Sequence, residues 1–79
     1  MGPEKHQPVF TCRPVMSDGV PMARVTLEVG QYSFQAGCEY RDPENPSHPN
    51  FGNNAPDFPE ACRRVMSAIT LHAESKGWL

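Results

Sequence analysis

No stretch of the 79-residue chain approaches the ~18 consecutive apolar residues that a membrane-spanning helix needs. Its first residues, MGPEKHQP, lack the apolar segment of a secretory signal. There are only three cysteines, an odd number with no Cys-x-x-Cys pair, which fits a reducing cytoplasm better than a disulfide scaffold. A formal charge of −2 supplies no general pull toward phosphate backbones. No HExxH, GxSxG, phosphate-cradling glycine loop or dinucleotide-binding fingerprint occurs, and no internal repeat. These shortages point to one small cytoplasmic domain over residues 1–79, without a membrane segment or cofactor. A chain this short buries only about 60% of the surface its unfolded form exposes. Proline alone is in excess: nine residues, roughly twice the usual share.

What is present is a strong alternation of apolar and polar residues. In ARVTLEVGQYSFQAGCEY, Val25, Leu27 and Val29 alternate with Arg24, Thr26 and Glu28; Tyr32, Phe34, Ala36 and Cys38 then alternate with Ser33, Gln35 and Glu39. That is the period of half-buried strands. Gly30-Gln31 between them suits a two-residue type II′ hairpin, which pairs Val29 with Tyr32, Leu27 with Phe34, Val25 with Ala36 and Ala23 with Cys38. Every pair is apolar against apolar, and a slip of one residue would destroy the match. Upstream, Asp18-Gly19 suits a type I′ hairpin. It pairs Cys12 with Val25 and Phe10 with Leu27 on the same face, and sets Arg13 opposite Arg24 and Thr11 opposite Thr26 on the other. Pro14 and Pro21 cannot donate to the ladder, so this hairpin is expected to fray or bulge near its turn. Two independent turns thus predict one apolar face.

DFPEACRRVMSAITLHAESKGWL supplies a cover for that face. Asp57 with Glu60 three residues on reads as a capping-box variant, and Pro59 is tolerated in a first turn. Phe58, Ala61, Cys62, Val65, Ile69 and His72 or Ala73 fall on one helical stripe, with Arg63, Arg64, Ser67 and Glu74 off it. Gly77 sits where a C-terminal capping glycine belongs, and Trp78 can fold back onto Ala73. The predicted fold is α+β: a three-stranded antiparallel meander, order 1-2-3, packed on one face by a single C-terminal helix. Strands are expected near 8–15, 22–29 and 32–40 and the helix near 58–76, with residues 1–7 a flexible N-terminus.

Catalytic and metal chemistry find little support. Cys12 and Cys38 share a face but sit on the two outer strands, roughly 9–10 Å apart by strand spacing. That is too far for one zinc or for a disulfide, whose Cα atoms lie within about 7 Å. Cys62 and His72 stand about 15 Å apart along the helix, too far for a nucleophile pair. All three cysteines therefore read as small core hydrophobes, with no metal site and no enzyme activity expected.

Two surfaces remain as candidates. The loop over 41–57 is far longer than the five or so residues that crossing from sheet edge to sheet face requires. It is rich in proline and asparagine, which argues for stiffness and tight turns rather than a flexible linker. Phe51, with Asn50, Asn53 and Asn54, is its candidate partner contact, alongside the off-stripe apolar residues Leu71 and Trp78. The alternative is the polar sheet face, with Arg13, Arg24, Thr26 and Gln35, since some DNA-binding domains read the groove with a helix-backed three-stranded sheet. Glutamates and Val9, Val15 and Met22 share that face, which suits a protein partner better than phosphate. The expected function is a cytosolic protein-binding module, an inhibitor or adaptor acting by surface occlusion; nucleic-acid binding through the sheet is the alternative, and a homodimer is compatible with either.

Overall fold

A computed structural model describes residues 7–44 and 54–79. Three strands, β1 (Val9–Ser17), β2 (Val20–Val29) and β3 (Tyr32–Glu39), are followed by one helix, α1 (Phe58–Ser75). The strands form an antiparallel sheet in the order β1-β2-β3. Both hairpins have the turn geometry their sequences demand. Asp18 and Gly19 take φ of 51° and 77°, the left-handed pair of a type I′ turn, and Gly30 takes φ 59° at the first position of the second turn. The register follows: Phe10 faces Leu27, Cys12 faces Val25 and Arg13 faces Arg24, while Val29 faces Tyr32, Leu27 faces Phe34 and Ala23 faces Cys38.

The expected fraying of the first hairpin does not occur. Pairing runs unbroken through Pro14↔Ala23 and Met16↔Pro21 to Ser17↔Val20. The reason lies in the alternation of the antiparallel ladder. In a two-residue hairpin the flanking pair Ser17↔Val20 is hydrogen-bonded, so every even-numbered residue of β1 points its N–H and C=O away from β2. Pro14 is even-numbered, and its missing N–H falls on the free edge. Pro21 points its backbone groups toward β3 by the same logic, and the Tyr40 N–H donates to the Pro21 carbonyl at 3.3 Å. Neither proline removes a bond from the β1–β2 ladder.

One face of β2 disappears completely: Pro21, Ala23, Val25, Leu27 and Val29 are buried in strict alternation. Against them α1 lays Ala61, Val65, Ile69 and Ala73, each four residues from the last. Val25, Leu27, Val65, Ile69 and Ala73 form the main core, and Ala23, Ala55 and Ala61 a second. The helix rests mainly on β2 and β3 and touches β1 little. Its first turn is capped by the Asp57 carboxylate, which accepts from the Glu60 N–H at 2.8 Å. The Glu60 carboxylate turns to Arg63 (2.7 Å) and Arg64 (3.6 Å) instead of back to the cap. At the other end Gly77 (φ 77°) donates to the Glu74 carbonyl and Trp78 to the Ala73 carbonyl, the two bonds of a Schellman motif.

The cysteines require a correction. Cys12 and Cys62 form a disulfide, with Cα atoms 6.2 Å apart across 50 residues of sequence, and only Cys38 is a free thiol. They are not three equivalent core hydrophobes. Cys62 lies on the flank of the helical stripe nearest β1, directly above the strand that the helix otherwise covers least.

Candidate binding surfaces

The structure leaves the sheet face opposite α1 without a cover among the described residues. Alternation assigns to it Val9, Thr11, Arg13 and Val15 of β1; Met22, Arg24, Thr26 and Glu28 of β2; and Ser33, Gln35, Gly37 and Glu39 of β3. All are exposed or half-buried, with Val9 55% exposed. Arg13 and Arg24 stand directly opposite one another, an arrangement that costs stability in a free sheet unless something neutralises it. Neither has a carboxylate partner among the described residues, where the ion pairs are those of Glu60 with Arg63 and Arg64.

Gly37 shapes this face. A Cβ there would stand 2.8 Å from the Met22 Cε and 3.7 Å from the Arg24 Cζ. The missing side chain therefore lets Met22 and Arg24 lie across β3, and Arg24 reaches toward the β3 edge rather than toward Arg13. Both sides of the arginine pair are thereby apolar or neutral: Val15↔Met22 on one side, Thr11↔Thr26 on the other.

The other candidate residues are scattered. Phe51, Asn50 and Asn53 lie outside the described residues, as does the expected flexible N-terminus over most of its length. Asn54 is half-buried beside α1, and its carbonyl accepts a long bond from Arg64 Nη1 (3.4 Å). The next residue, Ala55, is 2% exposed; its N–H donates to the Glu39 carbonyl at 3.0 Å, holding the end of the connection against β3. Trp78 is half-buried and stacked on Tyr32 at 4.6 Å between ring centroids, with His72 edge-on at 5.7 Å. His72 in turn stacks on Phe34 at 4.4 Å. Trp78 is thus engaged by its own fold. Leu71 is 68% exposed on the outer side of α1, beside a shallow groove lined by Arg63, Met66, Ser67 and Thr70. The structure does not bring Leu71 and Trp78 onto one surface.

Near the start of the connection, the Tyr40 phenol packs edge-on against Phe58 at 5.4 Å. Burial, with a smaller contribution from the Asp42 carboxylate, raises its pKa above the ordinary tyrosine value. No three acidic, histidine or cysteine side chains come together among the described residues, and no described helix is long and apolar enough to cross a membrane. Sequence alternation found the members of the open face, but Gly37 escaped it, because a glycine reads only as a gap in a polar–apolar pattern. Compared with protein-family models, curated proteins and solved structures, the chain matches none.

Proposed function

We propose that the chain is a protein-binding module without catalysis, an inhibitor or adaptor that works by occluding a partner's surface, and that the open sheet face is what it presents. The observation that carries this reading is the Arg13–Arg24 pair, unpartnered by carboxylate among the described residues and set among Val9, Val15 and Met22 on a face that none of the described residues covers. Two cations start from facing positions on neighbouring strands and diverge because Arg24 leans over Gly37, and both are left for an acidic group of a partner to neutralise. Apolar neighbours strengthen such a contact by excluding water, which is how interface centres concentrate their binding energy. A protein surface offering carboxylates among apolar groups matches this mixture. A phosphate backbone matches it less well, because Glu28 and Glu39 share the face and the chain carries a net charge of −2.

Nucleic-acid binding through the same arginines is the second reading, since some DNA-binding domains contact a groove with strands of a sheet. A cytoplasmic setting remains part of the proposal; there the Cys12–Cys62 pair would stand as two packed thiols, whereas an oxidising compartment keeps it closed. Affinity capture from the native host separates the readings. Capture that survives nuclease and is lost in Arg13→Gln/Arg24→Gln, with the melting temperature of the chain no lower than before, supports protein binding. Nuclease-sensitive capture supports the second reading, and capture indifferent to both arginines refutes the sheet face as the site.

A further inference from the structure

The two outer edges of the sheet are not alike. On β1 the outward-pointing backbone groups belong to even-numbered residues, and Pro14 interrupts their row of donors. On β3 the same alternation turns Ser33, Gln35 and Gly37 outward, with no proline among them. No hydrogen bond among the described residues reaches those groups; the first outward group that is used is the Glu39 carbonyl, taken by the Ala55 N–H. Beside this open edge, between β3 and α1, runs a groove of ≈ 410 Å³ lined by Ala36, Gly37, Cys38, Arg64, Val65 and Ala68. Its β3 side is made of small residues, Ala36, Gly37 and Cys38, and Ala68 is the small residue on its helix side.

We infer that the β3 edge is the interface of a homodimer, in which a second copy of the chain adds its own β3 antiparallel to form a continuous six-stranded sheet. The side chains of β3 are themselves arranged symmetrically about Gln35. Read outward from Gln35, the strand runs Phe34 and Ala36, Ser33 and Gly37, Tyr32 and Cys38: apolar, small, apolar on either side. Antiparallel pairing about a two-fold axis at Gln35 sets each Gln35 against the other copy's, Phe34 against the second copy's Ala36, and Tyr32 against its Cys38. Each large side chain on the helix side meets a small one, and no like charges meet. This register also uses the free groups completely. Ser33, Gln35 and Gly37 are the hydrogen-bonded positions, two bonds to each pair, and pairing stops where Ala55 already occupies Glu39. Shifting the axis to Phe34 or Ala36 leaves one of those positions against a turn residue or against Glu39.

The helices fit the same axis. With α1 lying over β2 and β3, strands spaced about 4.8 Å apart put the two helix axes roughly 9–10 Å from each other, within the normal packing range. Phe34 stacks on His72, and Ala36 faces Val65 and Ala68 across the groove, so the axis passes near Ala68, a small residue at the closest approach of two helices. Leu71, 68% exposed in the single chain, then falls on the second copy's Arg64 and Ala68 and fills its groove.

Sedimentation and site-specific cross-linking test this. The 8.8 kDa chain should sediment at twice its mass as concentration rises. In a Cys38→Ala background, Gln35→Cys should cross-link copy to copy under mild oxidation, because hydrogen-bonded partners lie about 5.5 Å apart, within disulfide reach. Ser33→Cys, separated from its own mate by about 13 Å, should not. Gln35→Lys, which sets two cations against each other on the axis without touching the β2–β3 ladder, should shift the chain toward the monomer and leave the melting temperature unchanged at dilutions where both proteins are monomeric. A single-chain mass up to about 1 mM would overturn the inference, as would Ser33→Cys linking as readily as Gln35→Cys, or a dimer indifferent to Gln35→Lys.

Discussion

Opening the Cys12–Cys62 bond should remove a large part of this domain's stability. The two cysteines are 50 residues apart, and closing a loop of that length restricts the unfolded chain by about 4 kcal/mol in the chain-entropy account. A domain of this size holds roughly 4–12 kcal/mol in total, so the reduced protein is expected to be marginal at physiological temperature. Location sharpens the expectation. The helix rests on β2 and β3 and scarcely on β1, so the disulfide is the main tie between α1 and the outer strand. Urea denaturation of a Cys38→Ala protein, oxidised and reduced, measures the difference without a third thiol to exchange. The reduced midpoint should fall and the slope should rise as the denatured chain expands. Hydrogen exchange should show the β1 amides of Thr11, Arg13 and Val15, which bond to β2, losing protection before those of β2 that bond to β3. If the oxidised and reduced forms differ by less than about 1 kcal/mol, the loop-closure reasoning fails for this chain.

Leu27 is 1% exposed on the central strand, between Phe10 and Phe34 and beneath Ile69 in the same core; Leu27→Ala should cost roughly 2–5 kcal/mol in denaturation, and a loss under about 1 kcal/mol would place it outside the core. Tyr40 should ionise above its usual value near 10 in a spectrophotometric titration of a Tyr32→Phe protein, and Asp42→Asn should recover only the smaller part of the shift, because burial is its first cause. Since the folded state holds this proton more tightly than the unfolded one, the Tyr40 contribution to stability should be intact below about pH 10 and lost as pH rises through the raised folded value.

The register of the sheet was legible because two turns, each with its own φ requirement, had to agree on one apolar face, and a single slip would have broken both. The prolines were misleading because residue type alone does not say which edge a missing N–H faces. The parity of Pro14 and Pro21 relative to the turn settles that, and it leaves the ladder whole. The disulfide was hidden for a different reason. Helical periodicity placed Cys62 near the inward stripe, but which strand lies beneath it depends on how far the helix is set sideways across the sheet, and no pattern along the chain encodes that displacement. In the structure the helix lies over β2 and β3 while Cys62 still reaches Cys12. The same blindness concealed Gly37, whose role comes from Met22 and Arg24 on the neighbouring strand rather than from its own.

The two proposed surfaces bear on each other through that glycine. Arg24 reaches across Gly37 toward the β3 edge, so joining two copies there would set the two Arg24 side chains on opposite sides of the axis, about 13 Å apart by strand spacing, with the two Arg13 side chains farther out on the same continuous face. A partner with carboxylates on both sides of the axis would then meet both copies at once. The second contact would form at the high effective concentration that a rigid link imposes, and would raise affinity without any new type of interaction. Gln35→Lys therefore probes more than mass: if the sheet face is the binding surface and the dimer is its working form, the same substitution should weaken partner capture while leaving each copy's Arg13–Arg24 pair in place. Capture lost through the arginines yet unaffected by Gln35→Lys would mean that one copy suffices.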